Sequence, residues 1–198
     1  MLLKAAVSSD GFVGRRDRRV RLTGPRADQF FQQQRAEVDA IAVGSGTVLA
    51  DDPLLTARGA YRARPLTRVL FDGRGRISAA ARVFSTLAAG PVIMVVSAAA
   101  AEADPARVAD FERRGVIVYR ACERRVRPVL DWLAAREVVS LLVEGGPGLQ
   151  AACRDEGLID RVQFAVTPHV LGEGVPSAVF TRPDLEGMRW PSVTMLGR

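Results

Sequence analysis

Val43–Arg58 reads VGSGTVLADDPLLTAR. It continues an apolar run, DAIAV (39–43), that has the character of a buried strand. Beyond the strand come Gly44 and Gly46, Thr47, the paired acids Asp51 and Asp52, then Pro53 and Arg58. In an open parallel sheet, ligands gather outside the carboxyl ends of the strands, and glycines there let the backbone approach a phosphate. The stretch lacks the third glycine of a Rossmann fingerprint, and it is no Walker loop. Taken alone, Thr47 reads as an early helix residue, and Asp51–Asp52–Pro53 as a helix end running into an extended X-Pro step.

A second glycine turn adds weight to a ligand. VEGGPGLQ (143–150) follows SLLV and opens a helix with Pro147 in its first turn. Gly145, Gly146 and Gly148 would bring unpaired N–H groups to that helix start, where anionic oxygens are stabilised. By itself this loop is equally a tight strand-to-helix turn. Glu144, just before it, is a carboxylate at a strand end, and burying it alone is costly. A ligand N–H or a nearby arginine would serve as its partner. Two glycine turns at two strand ends point to one bound dinucleotide.

The rest of the chain supports such a sheet. LLKAAVS, TRVLF, PVIMVVS, VIVYR, VVSLLV, VQFAVT and SVTML join AIAV as strands, several of them apolar on consecutive positions, as in strands covered on both faces. Helices between them have readable starts. TGPRADQFFQQQRAE, DPARVADFERRG, RPVLDWLAARE and PGLQAACRDEG each carry a proline near the first turn. The alternation predicts a three-layer α/β/α fold with a predominantly parallel central sheet, as one domain over residues 1–198.

Composition narrows the function classes. The chain is 48% hydrophobic and 25% charged, an ordinary globular balance. It has no apolar run of membrane-spanning length and no signal-peptide pattern. One histidine and two distant cysteines predict no metal site, and a cytoplasmic setting fits. The net charge of +6 comes from arginines spread along the chain beside a single lysine, Lys4. The densest run, GRRDRRVR (14–21), is short and broken by Asp17. That argues against a nucleic-acid stripe and for a loop facing solvent or a small anion.

With KAAVSSDG (4–11), LTGPRA, RAEVDAIAVGSGTVLADDPLLTAR, RVLFDGRGRI and LLVEGGPGLQAACRDEGLIDRVQFAVTPHVLG on the page, the chain resembles a known family. It is similar to the reductase domain of the bacterial riboflavin-biosynthesis deaminase–reductase and to its stand-alone archaeal and fungal relatives, which have a dihydrofolate-reductase-like fold. The deaminase partner domain is not expected, because no H-x-E with P-C-x-x-C occurs in the sequence. Arg21 stands where these enzymes usually carry an aromatic residue, within an unusually basic loop that includes Arg19.

The resemblance implies an NADPH-dependent reductase of a phosphorylated ribosylaminopyrimidine, transferring hydride to C1′ of the ring-opened ribose. It sets the cofactor against Ala6, Thr47, Asp51 and Gly145, Gly146, Pro147, Gly148 and Leu149. It sets the substrate against Arg35, Leu55, Arg58 and Glu144, the two arginines suiting the terminal phosphate. Glu144 and Asp51 are the expected catalytic carboxylates, one steadying an iminium and the other relaying a proton. Arg74 and Ser97 stand at strand ends as possible contacts for the cofactor's 2′-phosphate. A homodimer pairing through its sheets is expected. A pterin or dihydrofolate reductase, or a non-catalytic nucleotide-binding protein, would keep the same fold.

Overall fold

A computed structural model describes residues 1–18 and 20–179. Arg19 and the strand predicted over SVTML lie outside the described residues. The strands, in chain order, are β1 (Leu2–Ser8), β2 (Phe12–Gly14), β3 (Ala40–Gly44), β4 (Thr67–Phe71), β5 (Val92–Ser97), β6 (Ile117–Ala121), β7 (Leu141–Val143), β8 (Arg161–Thr167) and β9 (Val175–Pro176). Seven form one sheet in the order β6-β5-β4-β3-β7-β1-β8, every pair parallel. β2 and β9 make a separate antiparallel ribbon. The helices are α1 (Pro25–Glu37), α2 (Ser45–Asp51), α3 (Ala98–Ala103), α4 (Pro105–Arg113), α5 (Arg127–Ala134) and α6 (Pro147–Asp155), with a 3-10 segment over Arg82–Ala89.

The consecutive apolar residues of the strands serve two cores, because alternate residues of a strand face opposite sides. Ile41, Val43, Leu70 and Met94 pack on one face against Val48 of α2 and Phe111 of α4. Ala40, Ala42, Val69 and Ile93 pack on the other against Leu133 of α5 and Leu149 and Cys153 of α6. The three layers read from the sequence are therefore present. So are the proline starts: α1, α4, α5 and α6 each carry Pro in the first turn. Asp104 caps α4, its carboxylate accepting from the Arg107 N–H at 3.0 Å.

The structure departs from the sequence reading in three places. The stretch VVSLLV pairs as a strand only over Leu141–Val143. Asp39 accepts there from the N–H groups of Val139 and Ser140 and from the Ser140 hydroxyl, which binds the residues before Leu141 into a turn. α3, an alanine run capped by the Ser97 hydroxyl, continues directly from β5 where the sequence reading had no helix. The β2–β9 ribbon was also missed. Its strands come so close that a Cβ on Gly174 would lie 2.3 Å from the Gly14 carbonyl oxygen.

The topology opens the site. β3 and β7 are neighbours, yet the helices that follow them, α2 and α6, pack on opposite faces. Such a divergence leaves a crevice at the carboxyl ends of the two strands.

Candidate active site

The crevice widens into a cleft of about 1050 Å³. Gly44 to Thr47 and Gly146 to Leu149 line it at the ends of β3 and β7. The ends of β4, β5 and β6 extend it on one side, and the loop after β2, residues 15 to 18, borders it as well. The two glycine turns meet directly: the Gly146 N–H donates to Thr47 Oγ1 at 3.1 Å. Gly145 is there for packing, since a Cβ on it would lie 2.9 Å from Leu149 Cδ2. Around Gly148 a Cβ would meet nothing within 4 Å, so α6 starts in open space. No side chain caps that start, and Pro147 has no N–H to offer. The Gly146 N–H is held by Thr47 and the Leu149 N–H by the Gly146 carbonyl at 3.1 Å, so an anion in the cleft would face the Gly148 N–H.

Beside this lies a buried cluster of charge. Glu144 follows β7, and the Arg35 guanidinium of α1 grips it with both arms, Nε to Oε1 at 2.7 Å and NH2 to Oε2 at 2.8 Å. Lys4 of β1 comes within 3.5 Å of Oε2. Its ammonium also sits 3.7 Å from the centre of the Phe31 ring, a cation–π contact. Burial alone would raise the Glu144 pKa, but Lys4 and Arg35 outweigh it and hold the carboxyl down at about 2. Burial works against the charge on Arg35 too, and Glu144 more than offsets it, so that guanidinium titrates above its ordinary value. The partner that Glu144 called for is thus an arginine and a lysine of this chain.

The substrate residues expected from the sequence are handled differently by the fold. Arg35 and Arg58 were read together on one phosphate. The structure engages all three nitrogens of Arg35, two on Glu144 and NH1 on the Thr56 carbonyl at 3.2 Å. Leu55 is 3% exposed and belongs to the core, with a positive φ of 55° that turns the chain after Pro53. Arg58 is exposed. Its backbone N–H donates to Gln32 at 2.8 Å, and its guanidinium has no hydrogen bond or ion pair among the described residues. Ala6 is half-buried on β1, two residues from Lys4 and so on the same side of the strand. Asp51 lines the cleft beside Thr47. Asp10 holds a loop, accepting from the N–H groups of Leu171 and Gly172.

Lys4 is the site residue that sequence reasoning passed over. The signal was present: it is the only lysine of the chain, on a strand whose flanking Leu3 and Ala5 are core residues. The rim of the cleft was read only in part, in the basic loop 14–21 and Arg74, while Arg76, Arg124 and Arg125 were passed over. Arg15, Arg16 and Arg18 line it from the loop after β2, and Arg74, Arg76, Arg124 and Arg125 from the ends of β4 and β6. Three carboxylates, Asp17, Asp51 and Glu123, stand against these seven guanidinium groups. A dinucleotide with a pyrophosphate and a 2′-phosphate carries roughly four negative charges, which matches that excess. Open glycine turns, a cleft of dinucleotide size and a basic rim fit the cofactor expected from the sequence.

Fold and cleft together define an α/β protein of the dihydrofolate-reductase-like class. The chain belongs to the RibD C-terminal domain family, whose profile matches residues 1–195. It is 32% identical over 179 residues to the riboflavin biosynthesis protein RibD of Chlamydia pneumoniae, covering 87% of this chain and 46% of that one. It is 31% identical over 176 residues to the 2,5-diamino-6-ribosylamino-4(3H)-pyrimidinone 5′-phosphate reductase of Methanothermobacter thermautotrophicus, covering 87% and 79%. Among solved structures, Acinetobacter baumannii RibD superposes with a TM-score of 0.75 at 28% identity, over 89% of this chain and 48% of that one. The chain thus spans about half the length of the RibD relatives and most of the archaeal reductase.

Proposed function

We propose that this protein is an NADPH-dependent reductase acting on a phosphorylated ribosylaminopyrimidine, the reaction class named for its archaeal relative. The observation that carries the reading is the Gly146–Thr47 hydrogen bond. It joins two glycine turns into one cradle inside a cleft rimmed by arginines. When bound there, NADPH supplies the hydride. The open start of α6, Gly146 to Leu149, receives the pyrophosphate, with Gly145 fixing its packing. Thr47 and Asp51 hold the nicotinamide ribose, and Ala6 leaves room beside the ring.

The remaining groups orient the substrate. Glu144 stays ionised because Lys4 and Arg35 clamp it, so it offers a fixed negative charge to an iminium at C1′. Arg35 acts through Glu144, as a positioning residue. Leu55 sets the turn that carries Arg58 outward, and Arg58 meets the terminal phosphate. Asp51 relays a proton. No helix among the described residues is long and apolar enough to cross a membrane. We place the enzyme in the cytoplasm as a homodimer. β8 supports the pairing, since among the described residues it pairs only with β1 and leaves Val162 and Val166 exposed.

Fluorescence titration with NADPH, and turnover on phosphorylated and dephosphorylated ribosylaminopyrimidine and on dihydrofolate, test the reading. It requires tight NADPH binding and a marked preference for the phosphorylated pyrimidine. Turnover of dihydrofolate alone would move the activity to a pterin, and no cofactor binding would remove the reductase. Sedimentation near 21.4 kDa at micromolar concentration would remove the dimer.

A further inference from the structure

The arginines of the cleft rim are not equivalent. Arg76 donates to the Ser45 hydroxyl at 2.9 Å. Arg125 lies 4.0 Å from Glu123 and 3.8 Å from Glu156. Arg15 is tied to Asp17, Glu173 and the Leu171 carbonyl. Arg16, Arg18, Arg74 and Arg124 are exposed, and none makes a hydrogen bond or ion pair among the described residues; of these, Arg74 and Arg124 stand at the ends of sheet strands. They flank one spot. Arg74 follows β4, Arg124 follows β6, and β5 lies between them, so the two strand ends are about 10 Å apart. Two exposed side chains of like charge on one cleft wall leave a place where an anion would be favoured. Ser97, at the end of β5, has its hydroxyl oxygen engaged as the cap of α3, 3.1 Å from the Ala100 N–H.

The position along the sheet says which anion this is. The cradle for the pyrophosphate is at β3 and β7. Ala6 and Glu144, on β1 and after β7, define the nicotinamide side. The other half of a dinucleotide must run the opposite way, over the ends of β4, β5 and β6, which are the only other strand ends of the main sheet lining the cleft among the described residues. We propose that Arg74 and Arg124 grip the 2′-phosphate of the adenosine ribose from two sides and so set the choice of NADPH over NADH. This rests on the cofactor reading above. A guanidinium recognises a phosphate dianion by paired charged hydrogen bonds, and NADH presents only a hydroxyl at that place.

Cys122 offers a probe of the same wall. It is exposed and lines the cleft two residues before Arg124. Cys153 is buried, and burial pushes its thiol up to about 11, so a maleimide at neutral pH labels Cys122 selectively. Adenosine 2′,5′-bisphosphate should protect Cys122 strongly and adenosine 5′-monophosphate weakly. Titrations of NADPH and NADH by fluorescence then test the two arginines. Arg74→Ala and Arg124→Ala should each weaken NADPH roughly 10-fold, and the double variant roughly 100-fold, with NADH changed less than about threefold. Arg→Lys at either position should keep part of the preference, because the charge remains without the fork. A double variant that still prefers NADPH overturns the proposal, as does equal protection by both adenosine phosphates. Wild type binding both cofactors equally overturns it while leaving the reductase reading intact, whereas binding of neither removes both.

Discussion

The charge cluster beside the cleft, at β1 and β7, and the cleft rim at β4 to β6 treat charge in opposite ways. At the β1–β7 end, Lys4, Glu144 and Arg35 are nearly buried and satisfy one another. At the β4–β6 end, Arg74 and Arg124 stand exposed and unpartnered among the described residues. A buried charge without a partner is costly, so the first end is completed within the chain. An exposed arginine costs little to leave alone, so the second end can wait for a ligand. One end is fixed by contacts within the chain, and the other presents its charges to solvent.

The most severe way to break this contrast is Glu144→Ala. It leaves two buried cations facing each other, and should cost about 3–5 kcal/mol of stability in urea unfolding. Arg74→Ala or Arg124→Ala should leave unfolding within about 0.5 kcal/mol of wild type. Equal losses at both ends would collapse the distinction.

Acid sharpens it further. The Glu144 carboxyl is held at about 2 against an ordinary 4.5. A depressed carboxylate contributes stability that is complete above about pH 4.5 and is lost as pH falls toward 2. The shift corresponds to about 3 kcal/mol. Asp10 and Asp39 are also held below their ordinary values by hydrogen bonds and add to the same slope. The diagnostic quantity is therefore the stability gap between wild type and Glu144→Gln, which should narrow by about 3 kcal/mol from pH 5 to pH 2. A constant gap would mean that the cluster does not hold Glu144 ionised.

Arg58, which the proposed function sets against the substrate phosphate, shares the exposed character of the rim. Arg58→Ala should lower kcat/KM for the phosphorylated substrate by about 1.5–3 kcal/mol, roughly 10- to 150-fold, with NADPH affinity unchanged. Retention of the phosphate preference would make it an ordinary surface arginine. The smallest effect serves as a control away from the cleft. Asp104→Ala removes the cap of α4 and should cost about 1 kcal/mol in thermal unfolding, with cofactor binding untouched.

Much of the fold was legible because its signals are local. Apolar runs marked β3, β4 and β5, and prolines marked the starts of α1, α4, α5 and α6. What went unseen lacked such signals. The β2–β9 ribbon pairs residues far apart in the chain through two or three residues a side, too few for a periodic pattern. The shortening of the strand before Leu141 depends on Asp39, about a hundred residues earlier. At the site, both glycine turns could be read, because a turn's conformation belongs to its own few residues.

By itself the sequence determined a doubly covered parallel sheet, two glycine turns at strand ends and a carboxylate between them that needed a partner. Backbone preference and burial pattern act over neighbouring residues, and those are written in order along the chain. Only the tertiary structure decided that the partner is Arg35, 109 residues away, together with Lys4. It also decided which arginines of the rim have partners within the chain and which stand exposed. Charges interact through distance in space and the polarity of what surrounds them, and neither exists until the chain has folded.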